Sequence, residues 1–194
     1  MDQRPNPQEI QFLNKSYNFF LDIYDEIKNE NFWNQTSYYR FAKAKDAFLV
    51  YSELLEYEPI QWFINALKDF RPPMEAELSK EFCLFIRNIL IHFPFFNSWD
   101  EVAFSKHLIN WSKPGRTIDK FLTKYSGRKE IKYRVWNSNH KSMTYISIKF
   151  PLVYDEKTEI LLKDIISEKE GLIFTFSLMH RVLLSQIESY KVGQ

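Results

Sequence analysis

The sequence predicts a mainly α protein, an antiparallel helical bundle with a small β-hairpin inserted before the last helix. Three observations point there. Glycine is scarce, with only 4 in 194 residues, so tight turns should be few and helices long. Apolar residues recur at helical spacing through most of the chain up to Trp111. From Glu130 to Tyr154 the pattern changes to the alternation of strands. A 45% hydrophobic and 18% aromatic content is ample for one core, so a single helical domain is expected over residues 1–194, its hairpin insertion at about 128–153.

The elements follow in order. Pro7 suits the first position of a helix, and Ile10, Leu13, Tyr17, Phe20, Leu21 and Tyr24 then fall on helical spacing. "NENFWNQTS" interrupts, and a second helix is expected from about Ser37 to Leu55. Pro59 marks a break or kink, "IQWFINALKDF" resumes as helix to Arg71, and Pro72 and Pro73 end it. The third long helix runs from about Met74 to His92 and stops near Pro94. Ser98 with Glu101 three residues on reads as a capping box, predicting a helix to about Trp111 that "SKPGR" ends. Ile131, Tyr133 and Val135, then Met143, Tyr145 and Ser147, alternate as two strands around a polar "NSNHKS". The chain closes as one long or broken helix from "DEKTEILLKDII" onward, with Gly171 its weak point.

Composition narrows the function classes. A net charge of +1 leaves attraction for nucleic acid to a local patch. One cysteine cannot form an internal disulfide, and Cys83 lies in an apolar run as a reduced packing thiol. "MDQRPNPQEI" lacks the regions of a signal peptide, and no run of about 18 uncharged apolar residues is present, so a cytoplasmic protein without a membrane span is expected. No pair of His, Cys or carboxylates has metal-ligand spacing, Gly is too scarce for a phosphate-cradling loop, and nothing marks a nucleophile elbow; no cofactor is expected.

The stretch that raises a functional question is "EFCLFIRNILIHFPFF", where Arg87, Asn88 and His92 stand among apolar neighbours. Polar groups in such a setting cost free energy unless paired or used. At about 100° per residue, Asn88 and His92 share a helix face, about 40° apart. Arg87 and His92 are about 140° apart, so they converge only if the Arg stem reaches round or the helix loosens near its end. The bland alternative is electrostatic, since both cations favour a helix C-terminus and can bond its last carbonyls.

This string, on a helix of an all-α domain, resembles the signature of the HEPN superfamily: an Arg, about four to six residues, then a His, commonly with a polar residue directly after the Arg. Asn88 meets that last condition. The likeness covers residues 7–111 and the terminal helix, and not the hairpin. It implies a bundle of helices, a homodimer in which two motifs face each other, and a metal-independent endoribonuclease of a toxin–antitoxin, abortive-infection or CRISPR defence system, with an antitoxin or defence-system partner protein. Other members of that superfamily are inactive binding modules. Some of its toxins carry a Tyr two residues after the His, modified by a partner nucleotidyltransferase; this chain has Pro94 there. A second Arg–His spacing, Arg134 to His140, falls on the hairpin and is followed by Val135, so it is set aside.

The residue types suit that chemistry on their own terms. Metal-free RNA cleavage uses the 2′-hydroxyl as nucleophile and leaves a 2′,3′-cyclic phosphate and a 5′-hydroxyl. His92 titrates near neutral pH and can act as base or acid. Arg87 offers a fork of donors to the phosphate, and Asn88 can orient either. For substrate binding, Lys113, Arg116, Lys120, Lys124, Arg128, Lys129, Lys132 and Arg134 face only Asp119 and Glu130, with Tyr125, Tyr133 and Trp136 interleaved. Such a mixture grips single-stranded RNA, or is a solvated basic face. His107 and His180 suit core or helix-surface roles, and His140 a turn. The rival readings are a non-catalytic HEPN-like module that binds RNA or protein, and a helical scaffold whose polar trio is structural.

Overall fold

The computed structural model describes residues 6–58, 61, 73–93, 95–109, 115–137 and 141–191. The helix expected through "IQWFINALKDF", the breaks at Pro59, Pro72 and Pro94, Trp111, Lys113 and the His140 turn lie outside them, Gln61 apart. The fold is mainly α with a small β-hairpin, as the periodicity predicts, and a second, short antiparallel strand pair that it does not. The chain forms two compact units, residues 1–79 with 175–194, and residues 80–174.

In the first unit, helix α1 spans Pro7–Lys28. Asn6 caps it by accepting from the amides of Gln8 and Glu9, while the Glu9 carboxylate accepts from the Asn6 amide at 2.7 Å, a full capping box ahead of Pro7. Its buried stripe is Leu13, Tyr17, Phe20, Ile23 and Ile27. Asn29 caps a single turn, α2, Glu30–Trp33, and the Trp33 indole donates to the Ile27 carbonyl at 3.1 Å. Helix α3 spans Ser37–Leu55, as expected, with Thr36 as its cap. It packs on α1, with Lys43 paired to Glu26 at 2.9 Å. Phe20 meets Tyr51 at 6.3 Å and Phe176 of the last helix at 5.5 Å, and Phe48 meets Phe176 edge-on at 5.8 Å. His180 stacks on Tyr24 at 4.5 Å, a structural role.

Helix α4 spans Pro73–His92, and most of it belongs to the second unit. It buries Phe82, Phe85, Ile86, Ile89 and Leu90. Facing it is α6, Gly115–Tyr125, whose Ile118, Phe121, Leu122 and Tyr125 form an i, i+3, i+4, i+7 stripe. Phe85 stacks on Phe121 at 4.4 Å. This helix fills a stretch that the sequence reading treated only as basic.

The helix expected over residues 98–111 does not form across its described part, 98–109. A 3-10 turn, Trp99–Glu101, leads into strand β1, Ala103–Phe104, and a short α5 follows at Lys106–Ile109. Ser98 makes no capping bond; Glu101 instead accepts from the Asn97 amide at 3.2 Å. The reason is tertiary. Val102 and Phe104 alternate into the core, and β1 pairs with a strand far along the chain, β4, Ile160–Leu161.

Strands β2, Ile131–Asn137, and β3, Ser142–Ile148, form the expected hairpin, with Tyr133 opposite Ile146 and Arg134 opposite Tyr145. Tyr133, Ile146 and Ile148 point inward, and Tyr133 meets Phe174 edge-on at 4.6 Å. The terminal segment breaks at Ile166–Ser167, between a turn, α7, Leu162–Ile165, and α8, Glu168–Lys191. Gly171 is not the break. Its amide donates to the Ser167 carbonyl at 2.8 Å, and a Cβ there would lie 2.7 Å from the Trp99 ring, so glycine lets the indole close on the helix. The Trp99 indole N–H donates to the Ile166 carbonyl at 3.0 Å and seals the corner.

Candidate functional site

Arg87, Asn88 and His92 all lie on the last turns of α4 within the second unit. The apolar face of that helix is fixed by Phe82, Phe85 and Ile89, which sets how far each of the three reaches toward solvent. Arg87 is half-buried and His92 exposed. Asn88 is only 7% exposed, and its amide donates to the Leu84 carbonyl one turn back at 2.8 Å. The nitrogen that would orient His92 is therefore engaged with the helix backbone.

The helix does not loosen at its end, because the Phe93 amide donates to the Ile89 carbonyl at 3.1 Å. Arg87 nevertheless acts on His92. Partial burial of the imidazole comes first, and the Arg87 charge second; both disfavour the imidazolium and lower its pKa from the ordinary histidine value. A neutral imidazole beside a permanent cation is suited to accept a proton near a phosphate. Burial also pushes the Cys83 thiol, one turn before Arg87, up to about 12, so it stays protonated and unreactive.

Phe95 was not singled out from the sequence. Its ring is 58% exposed, held edge-on to Phe93 at 5.8 Å and against Phe96 at 4.5 Å, three residues after His92. The "FPFF" string held the signal, but an apolar run after a helix reads as core.

The basic residues separate by environment. Lys120, Arg128, Lys132 and Arg134 are exposed, with the Arg128 guanidinium 5.2 Å from the centre of the Tyr125 ring. Lys124 instead pairs with both carboxylate oxygens of Glu81, at 2.8 and 2.9 Å, and the Tyr125 hydroxyl donates to the same carboxylate at 2.7 Å. Of the interleaved aromatics, Tyr125 and Tyr133 are core residues; Trp136 is exposed. Among the described residues no three His, Cys, Asp or Glu side chains gather as a metal site requires, and no helix is long and apolar enough to cross a membrane.

Set against known proteins, the chain matches no family model, no curated protein and no solved structure.

Proposed function

We propose that the protein is a HEPN-type, metal-independent endoribonuclease acting as a homodimer, with Arg87 and His92 catalytic. The observation that supports this reading most is the exposed imidazole at the end of α4, held toward its neutral form in part by the Arg87 charge. In the proposed step, His92 takes the proton of a ribose 2′-hydroxyl, whose oxygen forms a bond to the adjacent phosphorus. The bond from phosphorus to the 5′-oxygen breaks, and a second, protonated His92 across a dimer axis supplies the leaving oxygen with its proton. Products are a 2′,3′-cyclic phosphate and a 5′-hydroxyl. Arg87 offsets the charge that builds on the phosphate oxygens. Asn88 assists by holding the turn that bears Arg87, through its bond to Leu84. Lys120, Arg128, Lys132 and Arg134 bind the substrate backbone, and a toxin or defence role with a restraining partner protein follows from the family resemblance.

Incubation with RNA in excess EDTA tests it. The expected result is cleavage ending in cyclic phosphate, reduced by about a hundredfold or more in Arg87→Ala and in His92→Ala while both remain folded. Failure of the wild-type chain to cut any RNA, or full activity in either variant, overturns the proposal. A second reading, a non-catalytic RNA-binding module of the same fold, is favoured by the engagement of Asn88 with the backbone; binding without cleavage would establish it.

A further inference from the structure

The hairpin has two faces of opposite character. Its inner face, Tyr133, Ile146 and Ile148, is packed. On the outer face, Lys132, Arg134 and Trp136 of β2 stand opposite Ser147, Tyr145 and Met143 of β3. Trp136 is 55% exposed, Met143 50% and Tyr145 59%. A strand face turned to water ordinarily carries small polar or charged groups, because a row of large apolar side chains there gains nothing from burial. This row is also surrounded by cations: Lys129, Lys141 and Lys149 are exposed at its ends. Beside it, the Glu130 carboxylate accepts a hydrogen bond from the Ser147 hydroxyl.

We propose that this outer face is a stacking platform for single-stranded RNA, on which Trp136 and Tyr145 each take a base while Lys132 and Arg134 hold the phosphates. Trp136 and Tyr145 are diagonal neighbours, about 7–8 Å apart by strand geometry, so each ring can serve a separate base. The partner must bring negative charge together with flat apolar faces. An acidic peptide has the first and not the second. A duplex keeps its base faces inside its own stack, whereas an unpaired strand exposes both faces and charge. The choice of ribose over deoxyribose rests on the ribonuclease reading above; the platform itself rests on the hairpin alone. Inward pairing of Tyr133 with Ile146 fixes the register, so a slip by one residue would turn the rings into the core and the cations with them.

Binding is read by fluorescence anisotropy on the full chain carrying His92→Ala, which separates grip from cutting. The probes are a labelled oligouridylate of about 12 nucleotides, the deoxy strand of the same length, and a duplex RNA. The expected order is oligouridylate tightest and duplex weakest. Trp136→Ala and Tyr145→Ala each weaken oligouridylate binding by about fivefold to a hundredfold, and Trp136→Phe and Tyr145→Phe recover most of it. Both positions are exposed, and circular dichroism checks that the four variants stay folded. The proposal is overturned if both alanine variants bind within twofold of their parent. It is equally overturned if the duplex binds as well as oligouridylate, or if polyglutamate displaces it at equal charge; equal binding of the deoxy strand overturns the choice of ribose and leaves the platform standing. Loss of cleavage in His92→Ala with binding intact tests the catalytic reading separately, so either can fail alone.

Discussion

The end of α4 and the outer face of the hairpin both present basic groups, in opposite ways. At the end of α4 a guanidinium and an imidazole sit on a helix whose neighbouring face is locked by Phe82, Phe85 and Ile89, and the Asn88 side chain bonds back to the helix itself. On the hairpin, cations alternate with exposed rings along two strands that are buried on the other side only. A rigid helix end fixes a few atoms well, which suits a chemical step. An open ribbon spreads many weak contacts over length, which suits grip.

The sharpest way to break this contrast is to remove the support under α4. Phe85 is fully buried, stacks on Phe121 at 4.4 Å and lies 5.9 Å from Phe104. Phe85→Ala should destabilise the fold by about 3–5 kcal/mol in urea unfolding. If α4 is rigid because of that packing, amide exchange at Arg87 and Asn88 should accelerate more than exchange within β2. Equal acceleration at both places would mean that the helix end owes nothing special to the aromatic stack.

A smaller effect separates cations on the outer face of the hairpin from a cation held in an ion pair. Lys124 is paired with Glu81 and about one third exposed, whereas Lys132 is exposed on the outer face. Lys132→Ala should reduce the salt dependence of RNA binding by about one counterion, and Lys124→Ala should leave that slope unchanged. An equal change in both would make the basic segment one undifferentiated patch. Sequence alone cannot draw this line, because Glu81 lies 43 residues from Lys124.

What was legible follows the same division between local and distant causes. Helices α1 and α3 are written in neighbouring residues: Pro7 and an apolar stripe for one, and for the other a helical pattern that begins at Ser37 and ends at Leu55. The position of the hairpin was also plain, from alternation alone. Which of its faces turns inward was not, since Met143 and Tyr145 are as β-favouring as Ile146; contacts such as Tyr133 with Phe174 decide it. The Ser98–Glu101 box misled because the pairing of Phe104 with Ile160 outweighs one local cap. Helix α6 has its signal at Ile118, Phe121, Leu122 and Tyr125, but the basic residues between them mask that stripe as a charged segment. At the candidate site, the helical spacing of Asn88 and His92 was legible, while the depth of Asn88 was not. Angle around a helix does not say how closely neighbouring elements cover it.

The smallest effect bears most directly on Arg87 and His92. Burial, then the Arg87 charge, lower the His92 pKa, so the folded chain binds fewer protons there than the unfolded chain. The stability this contributes is present above the ordinary histidine value of about 6.5 and is lost as pH falls from there through the lowered folded value. Arg87→Ala removes the second cause and leaves the first. His92, followed by its imidazole proton resonances and assigned with a His92→Gln control, should then titrate higher than in the wild-type chain but still below the unfolded value. The pH dependence of stability should become correspondingly shallower. An unmoved midpoint would show that the guanidinium does not act on the imidazole, and the helix end would then differ from the hairpin only in being packed, with no chemistry of its own.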